Sequence, residues 1–388
     1  MMPAASAMSS GTTQSHAVTT AVGTPRRARS AASENGSPAR VPVRAREGGA
    51  TEVRGTLPCY GGRVGVAAFG QWRAVRRWGT GFRRREDPRV DVSVIIPMYN
   101  AGALIHEQLD ALAAQKTDLQ WEVIVGDNRS TDGSPDAVRS RAADFPVSLK
   151  VAEAFRVAGA SHARNAAAAL ATGTVLAMCD ADDRVAVDWV QQAFEAVAAG
   201  SPMVAGKNRR LEDPFRADSE VLNPGILHGR GAQSCNAAML RSVFLDVGGF
   251  DESLPPYGVE DSDLSARVLA SGRRIAPAPG MEVYFRETAG IRTKMKKIYS
   301  SGQAEAVLLA RAHHAHGSEL TSTMLLRDLA KLPKDAVTVA RSAGPRTLPK
   351  WLMRHATVRA GRLTGLHLWV KSGRAGEPVY PFLAEREG

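Results

Sequence analysis

Three carboxylates stand within four residues of one another in the stretch CDADDR, Cys179–Arg184, directly behind the apolar run GTVLAM. Ionised side chains resist burial unless something pairs with them. A helix cap or an Asx-turn would use one aspartate well but leaves the others without a role. Asp180, Asp182 and Asp183 together offer hard oxygen ligands of the kind that Mg²⁺ or Mn²⁺ prefers, usually shared with phosphate oxygens. The pattern therefore predicts a site for a divalent metal and a phosphate.

A second acidic group, GVEDSDL, places Glu260, Asp261 and Asp263 at the start of a predicted helix. Acids in a first helical turn are stabilised by the helix dipole, so simple capping is one interpretation. The functional interpretation is a general base, which must be ionised at neutral pH and aimed at an acceptor hydroxyl. We expect the first helical turn to keep such a carboxylate ionised.

Further polar residues follow two apolar runs. Tyr99 and Asn100 come after VSVIIP, and Asp127 and Asn128 end WEVIVGDN. Tyr99 offers a flat face for a base, and the acid or amide could bind a base edge or a ribose hydroxyl, although packing and turn formation are plain alternatives. The sequence has neither a GxxxxGK[ST] loop nor a GxGxxG after the first strand, so phosphates would be met by metal and arginine, with Arg164 the candidate.

The elements that must position these residues alternate regularly. Apolar runs predict strands at 92–97, 121–127, 147–151 and 174–178, and helical patterns lie between them at 103–115, 135–143 and 161–171. This alternation predicts an α/β fold with a mostly parallel sheet and helices on both faces. Because ligands bind at the carboxyl ends of parallel strands, the three polar clusters should meet at one edge.

Charge divides the chain into three parts. Residues 1–90 hold 15 Arg against 5 acids, residues 91–290 hold 18 basic against 27 acidic residues, and residues 291–388 hold 17 against 7. We predict a disordered Arg/Ser/Ala-rich tail over 1–88, a catalytic domain over 89–290 and a basic helical extension over 291–388. The acidic middle and the lack of a recognition motif argue against a nucleic acid partner.

Three scattered cysteines indicate a reducing compartment, and no apolar run reaches the roughly 20 residues of a membrane span. We therefore expect a cytoplasmic protein, and attachment to the inner face of the membrane is compatible with this expectation. The C-terminal stretch LPKWLMRHATVRAGRLTGLHLWV mixes tryptophans with cations, as interfacial helices do, which would allow peripheral contact with anionic lipid. A helix packed on the catalytic domain is the competing interpretation.

Four segments, taken together, resemble the family 2 glycosyltransferases, inverting enzymes with a GT-A fold that use nucleotide-diphosphate sugars. They are VSVIIPMYNAGALIHEQLDAL, VIVGDNRSTDGS, ARNAAAALATGTVLAMCDADD and VGGFDES with GVEDSDL, in the family's order over about residues 91–290. Gly126 and Arg129 depart from the family's usual residues in the second segment. The resemblance implies a Rossmann-like nucleotide-binding half, an acceptor-binding half and a role in polysaccharide or cell-envelope synthesis.

The resemblance also implies roles for single residues. Asp261 would be the catalytic base, and Asp182 and Asp183 would hold a divalent metal, Mn²⁺ or Mg²⁺, with the diphosphate. The donor nucleotide would be bound by Pro97, Tyr99, Asn100, Asp127, Asn128, Arg164 and Asp180, and the acceptor by Gly249, Glu260 and Asp263. The acceptor itself, a glycan, a lipid-linked sugar or a small molecule, is left open.

Two other classes of protein compete with this interpretation. A non-catalytic nucleotide- or carbohydrate-binding protein on the same scaffold would not need to keep Asp182, Asp183 and Asp261, all of which are present. A nucleotidyltransferase would need a Gly- and Lys/Arg-rich phosphate loop after the first strand, whereas PMYNAG holds no basic residue.

Overall fold

The structure is a computed structural model that describes residues 90–212, 214–223 and 231–384. It also describes the backbone of two short strands, β1 (Thr56–Cys59) and β2 (Gly62–Gly65), which pair antiparallel. The predicted tail over 1–88 otherwise lies outside the described residues.

A nine-stranded sheet organises the described part of the chain. Its order is β5-β4-β3-β6-β10-β8-β11-β7, and β9 pairs with β8. The strands are β3 (Val92–Met98), β4 (Trp121–Asp127), β5 (Ser148–Glu153), β6 (Val175–Cys179), β7 (Arg184–Val185), β8 (Met203–Arg210), β9 (Val221–Asn223), β10 (Asn236–Leu240) and β11 (Ile275–Phe285). The first four in spatial order run parallel, as predicted, and β10 then pairs antiparallel with both β6 and β8.

Helices cover both faces of this sheet because alternate strand residues are apolar on both sides. α1 (Leu104–Ala113), α2 (Ser134–Arg141) and α4 (Trp189–Ala198) pack with Val94 and Ile96 in one core. α3 (Ala160–Ala169), α5 (Arg241–Asp246) and α6 (Glu260–Ala270) pack with Ile95 and its neighbours in the other. The predicted packing of helices on both faces of the sheet is confirmed.

One glycine decides how closely α3 approaches the sheet. A Cβ at Gly126 would lie 2.1 Å from the backbone oxygen of Ala163, so only glycine allows this contact between β4 and α3. The departure noted at Gly126 therefore has a packing reason, and it fixes the position of the helix that carries Arg164.

The C-terminal region is helical, as predicted. It comprises α7 (Ile291–Ala315), α8 (Ser322–Ala330), α9 (Leu332–Ala343), α10 (Leu348–Gly365) and the short α11 (Pro381–Ala384), with a π-helical turn at Leu366–Lys371. The last segment folds back onto α5 beside the sheet, where the Phe382 ring lies 5.6 Å from that of Phe244. Within the part of the chain that the structure describes, no helix combines the length and apolar character needed to cross a membrane.

Candidate active site

A cleft of about 1770 Å³ lies at the carboxyl ends of β3, β4 and β6. The loops after these strands reach it with Tyr99, Asn128 and Asp180, and the first turn of α6 closes the opposite wall with Glu260 and Asp261. The two acidic groups predicted from the sequence thus line one cleft.

Arg164 joins the two walls. Its guanidinium donates to Asp180 Oδ1 at 2.8 Å and to Glu260 Oε1 at 3.2 Å, and it stacks over the Phe250 ring at 5.4 Å. Burial alone would lower the pKa of Arg164, but the charges of Asp180 and Glu260 outweigh it and raise that pKa. Arg164 thus forms a buried ionic bridge that holds the loop after β6 against the start of α6. Its contact with a diphosphate stays a prediction.

Asp183 is fully buried, and one of its two carboxylate oxygens accepts a hydrogen bond. Its Oδ1 accepts the backbone N–H of Arg286 at 2.8 Å, while its Oδ2 has no hydrogen-bond partner within the described residues. Burial, reinforced by Asp180 and Asp182, raises its pKa well above the ordinary value. A buried carboxylate with an open oxygen costs free energy unless a cation satisfies it.

A third donor atom faces these carboxylates from the neighbouring strand. The register that pairs Asn236 with Cys179 brings Cys235 beside Asp180. One oxygen each of Asp180 and Asp183 and the Sγ of Cys235 all lie within 4.8 Å of one another. Asp182 is not part of this group; burial and then Asp180 raise its pKa, and its backbone oxygen accepts from Arg286 at 2.9 Å.

Asp261 has no cationic partner in direct contact among the described residues. Its Oδ1 accepts from the Ser262 backbone N–H at 2.7 Å. Burial, and next the charge of Glu260, raise its pKa to about 7. Burial and the adjacent acid thus oppose the helix start, which we expected to keep this carboxylate ionised. A base with a pKa near the working pH is well suited to proton transfer.

The residues predicted to hold the nucleotide differ in their freedom to do so. Pro97, Tyr99 and Asn100 line the cleft, and Tyr99 is 67% exposed. The Asn128 side chain also reaches the cleft, but its amide donates to Val157 O at 2.8 Å and its Oδ1 accepts from Gly159 N at 2.9 Å. It therefore holds the loop after β5.

Asp127 is also committed to the backbone. It is 2% exposed, and its Oδ1 accepts from Ser130 N at 3.2 Å in an Asx-type turn. The structure thus gives Asp127 the turn-forming role that sequence reasoning held as its alternative, and its contact with a base stays a prediction.

Arg129 shows how this turn tolerates the loss of the family's usual glycine. Its φ of 68° lies in the left-handed region, which costs roughly 1–2 kcal/mol for a residue with a Cβ. The guanidinium donates to the backbone oxygens of Phe155, at 2.8 Å through Nε, and of Arg156, at 3.1 Å. These bonds offset the strain and tie the turn to the neighbouring loop.

The motif GGFDES mainly holds neighbouring segments of the fold together. Gly249 has φ 75°, and a Cβ there would meet Asn165 Oδ1 and the Phe382 ring, both at 2.7 Å. The Asn165 amide in turn donates to Phe250 O at 2.8 Å and to Glu252 Oε1 at 2.9 Å. Gly249 therefore allows close packing against α3 and the C-terminal segment, and its predicted role at the acceptor stays a prediction.

Asp263 is also occupied by structure. It is 3% exposed, and Arg267, one turn later, donates to it through Nε at 2.9 Å and Nη2 at 2.6 Å. Asp263 lines the cleft beside Glu260 and Asp261, but its carboxylate is held by this internal pair. An acceptor contact by Asp263 stays a prediction.

Sequence reasoning missed four residues of the cleft. Cys235 was counted only as one of three scattered cysteines, and Arg286 stands just past β11, where its N–H reaches Asp183. Lys297 from α7 lines the cleft with its ammonium 5.6 Å from the centroid of the Tyr257 ring. Burial, then Glu260, raises the pKa of Tyr257 to about 12, which keeps its hydroxyl protonated. The sequence had indicated Lys297 only as part of the basic extension that begins at residue 291.

Two family models match parts of this chain. Residues 93–244 match the family model "Glycosyl transferase family 2", and residues 224–289 match "N-terminal domain of galactosyltransferase". A validoxylamine A glucosyltransferase of Streptomyces hygroscopicus subsp. jinggangensis is 30% identical over 221 residues, covering 47% of this chain and 52% of that protein. The uncharacterized glycosyltransferase YfnE of Bacillus subtilis is 38% identical over 46% of this chain and 60% of its own length.

A third relative is the UDP-Glc:alpha-D-GlcNAc-diphosphoundecaprenol beta-1,3-glucosyltransferase WfaP of Escherichia coli, 24% identical over 58% of this chain and 88% of its own. Among solved structures, the mannosyltransferase PcManGT of Pyrobaculum calidifontis in complex with GDP-Man and Mn²⁺ superposes with a TM-score of 0.51 at 22% identity, over 79% of this chain and 93% of the other. That likeness confirms the predicted fold. The chain spans about half to three fifths of the first two relatives.

Proposed function

We propose, from the premise that this chain belongs to glycosyl transferase family 2 through residues 93–244 and has the GT-A fold, that it transfers a sugar from a nucleotide-diphosphate donor to a hydroxyl acceptor. The observation that carries the proposal is the meeting of two acidic groups across one cleft. Asp180 and Asp183 follow β6 on one side, Asp261 begins α6 on the other, and Arg164 bridges the walls.

The donor side fits a divalent metal. The open, buried Oδ2 of Asp183 and the nearby donors of Asp180 and Cys235 are an arrangement that a cation would satisfy. Asp183 and Asp180 would hold the metal with Cys235 as a third donor, and Asp182, which the sequence pairs with Asp183 in this role, stands in the same loop. When bound, Mn²⁺ or Mg²⁺ supplies positive charge for the diphosphate.

The chain's own cations lie on the same side. Lys297 lines the cleft and donates to Thr288 Oγ1 at 2.7 Å, and Arg286 contacts Glu107 at 2.6 Å through Nη2. We assign Lys297 to the leaving diphosphate, because an ammonium placed where negative charge develops lowers the barrier. Tyr99, exposed at the end of β3, would stack on the base.

Asp261 is the base of a single displacement in this scheme. The acceptor hydroxyl transfers its proton to the carboxylate of Asp261 while its oxygen bonds to the anomeric carbon, and the carbon–oxygen bond to the diphosphate breaks on the opposite face. Such a displacement inverts the anomeric carbon. Glu260 and Tyr257 border the space in which the acceptor would lie.

The test is a panel of nucleotide-sugars with Mn²⁺ or Mg²⁺, read out as thermal stabilisation and as release of nucleoside diphosphate. We expect a nucleoside diphosphate and a divalent metal together to raise the melting temperature, and one donor of the panel to be turned over. If no member of the panel stabilises the protein with either metal, the donor site is refuted. Stabilisation without turnover on any acceptor would favour the non-catalytic binding protein instead.

The most specific part of the proposal concerns the chemical class of the acceptor. The name of WfaP specifies a diphosphoundecaprenol-linked sugar as its acceptor. We propose a lipid-linked saccharide here as well, because a basic C-terminal region flanks the cleft with Arg311 and Lys371 among its lining residues. Transfer to a short-chain lipid-diphosphate sugar, compared with the free sugar, tests this choice.

A further inference from the structure

The C-terminal helices have a firmly packed inner side. α10 crosses α7 where a Cβ at Gly361 would lie 2.3 Å from Tyr299 O, so the two backbones touch. Leu325 of α8, Ala336 of α9 and Val358 of α10 are all buried. α8 and α9 therefore rest on α10, and their remaining faces point outward.

The acids of the C-terminal helices form ion pairs with buried arginines of the same region. Residues 322–371 contain ten Lys and Arg but only two acids, Asp328 and Asp335. Arg359, whose side chain is 2% exposed, donates to Asp328 at 3.1 Å and to Asp335 at 2.9 Å. Arg362, 6% exposed, binds Asp328 at 3.1 Å and Glu305 at 2.7 Å. Two buried arginines thus neutralise both acids from within.

The outer side consequently presents a large excess of cations over acids. We define the outer C-terminal surface by its exposed cations and apolar side chains within 322–371. The cations include Arg327, Lys331, Lys334, Arg341, Arg346 and Lys350, and the large apolar side chains are Met324, Leu326, Val337, Met353 and Leu368, each 38–52% exposed. The two acids of this range keep 19% (Asp328) and 37% (Asp335) of their side chains exposed, and the buried arginines bind both.

Charge and apolar groups share the same helix faces. Lys334, Val337 and Arg341 are spaced three and four residues apart, and all three are exposed on α9. On α8, Met324 and Arg327 are likewise three apart and exposed. An ordinary solvated surface mixes both signs of charge and exposes few large apolar groups.

We propose that the outer C-terminal surface binds the plane of an anionic phospholipid membrane. Lipid headgroups complement the unbalanced cations, and the exposed methionine, leucine and valine side chains suit the boundary between headgroups and acyl chains. A nucleic acid would use the cations but not these aliphatic groups, and the tryptophans that could stack on bases, Trp351 and Trp369, are partly buried. The proposal stands apart from the proposed catalysis, since none of these cations belongs to the catalytic residues.

The test is co-sedimentation of the full chain with phosphatidylcholine vesicles, with and without 30% phosphatidylglycerol. Each cation near an anionic surface strengthens binding about fivefold. The triple variant Arg327→Gln, Lys334→Gln, Arg341→Gln should therefore bind anionic vesicles roughly a hundredfold more weakly. A matched triple variant at exposed cations outside this surface, Lys116→Gln, Arg139→Gln, Arg274→Gln, should bind like the unchanged protein.

The apolar part has its own variant. Leu326→Ser with Val337→Ser should weaken binding at low and high salt alike, whereas the effect of the charge variant should fade as salt rises. Equal binding to neutral and anionic vesicles, an equal loss in both triple variants, or no vesicle binding would overturn the proposal. Binding of duplex DNA but not of vesicles would also overturn it. Donor-dependent stabilisation of the charge variant serves as the check on folding and is independent of the outcome.

Discussion

The pKa of Asp261 leads to a sharp prediction for the pH dependence of transfer. With a pKa of about 7, the carboxylate is roughly ten-elevenths ionised at pH 8 but only about one-eleventh ionised at pH 6. Because the ionised form must accept the proton, kcat/KM should fall about tenfold from pH 8 to pH 6. A carboxylate at the ordinary value of 3.8 would remain ionised at both values and leave the rate unchanged.

Two substitutions separate the base from its environment. Asp261→Asn removes the base and should lower kcat/KM at pH 8 by about 10²–10⁴-fold, or roughly 2.7–5.5 kcal/mol in the barrier. Glu260→Gln removes the charge that, after burial, contributes most to the raised pKa. We therefore expect Glu260→Gln to move the acidic limb to lower pH and to shrink the difference between pH 8 and pH 6.

The assay is release of nucleoside diphosphate from the best donor of the panel, with Asp136→Asn on the exposed surface of α2 as the control. Thermal unfolding in the presence of nucleotide verifies that each variant folds and binds the donor. The assignment is refuted if Asp261→Asn keeps near-normal transfer. A wild-type rate that is flat between pH 6 and pH 8 would contradict the environment described for Asp261.

Three further predictions follow from single contacts. Gly126→Ala drives a Cβ into Ala163 O, so thermal unfolding should show a loss of about 1–3 kcal/mol, and no loss would refute the close approach of α3. Arg129→Ala and Arg129→Gly both lose the bonds to the neighbouring loop, but only alanine keeps the left-handed strain. Arg129→Ala should therefore unfold about 1 kcal/mol more easily than Arg129→Gly, and the reverse order would contradict that account. Asp183→Asn should abolish stabilisation by metal with nucleotide. Cys235→Ser should shift the preference from Mn²⁺ toward Mg²⁺, since a hydroxyl is a harder donor than a thiol. Titration calorimetry measures the affinity for each metal, and unchanged affinities in both variants would show that the site lies elsewhere.

The sequence by itself determined the parallel part of the sheet, β3 to β6, and the edge at which the loops after these strands meet. Continuous β-branched runs must be buried on both faces, and their alternation with helices leaves a parallel sheet as the arrangement that connects them. The residues directly after β3 and β6 therefore had to meet at one edge, wherever the rest of the chain went. Tyr99 and Asp180 are placed by this local rule, and the structure brings both to the cleft.

Only the tertiary structure decided what each polar group is free to do. Arg164 finds Glu260, 96 residues away, and the register of β10 on β6 sets Cys235 beside Asp180. These partners come from distant segments, so no local spacing could reveal them. Burial then fixes their chemistry: it commits Arg164 to an ionic bridge and raises the pKa of Asp261 to about 7, because removal of water disfavours a charge that has no nearby partner.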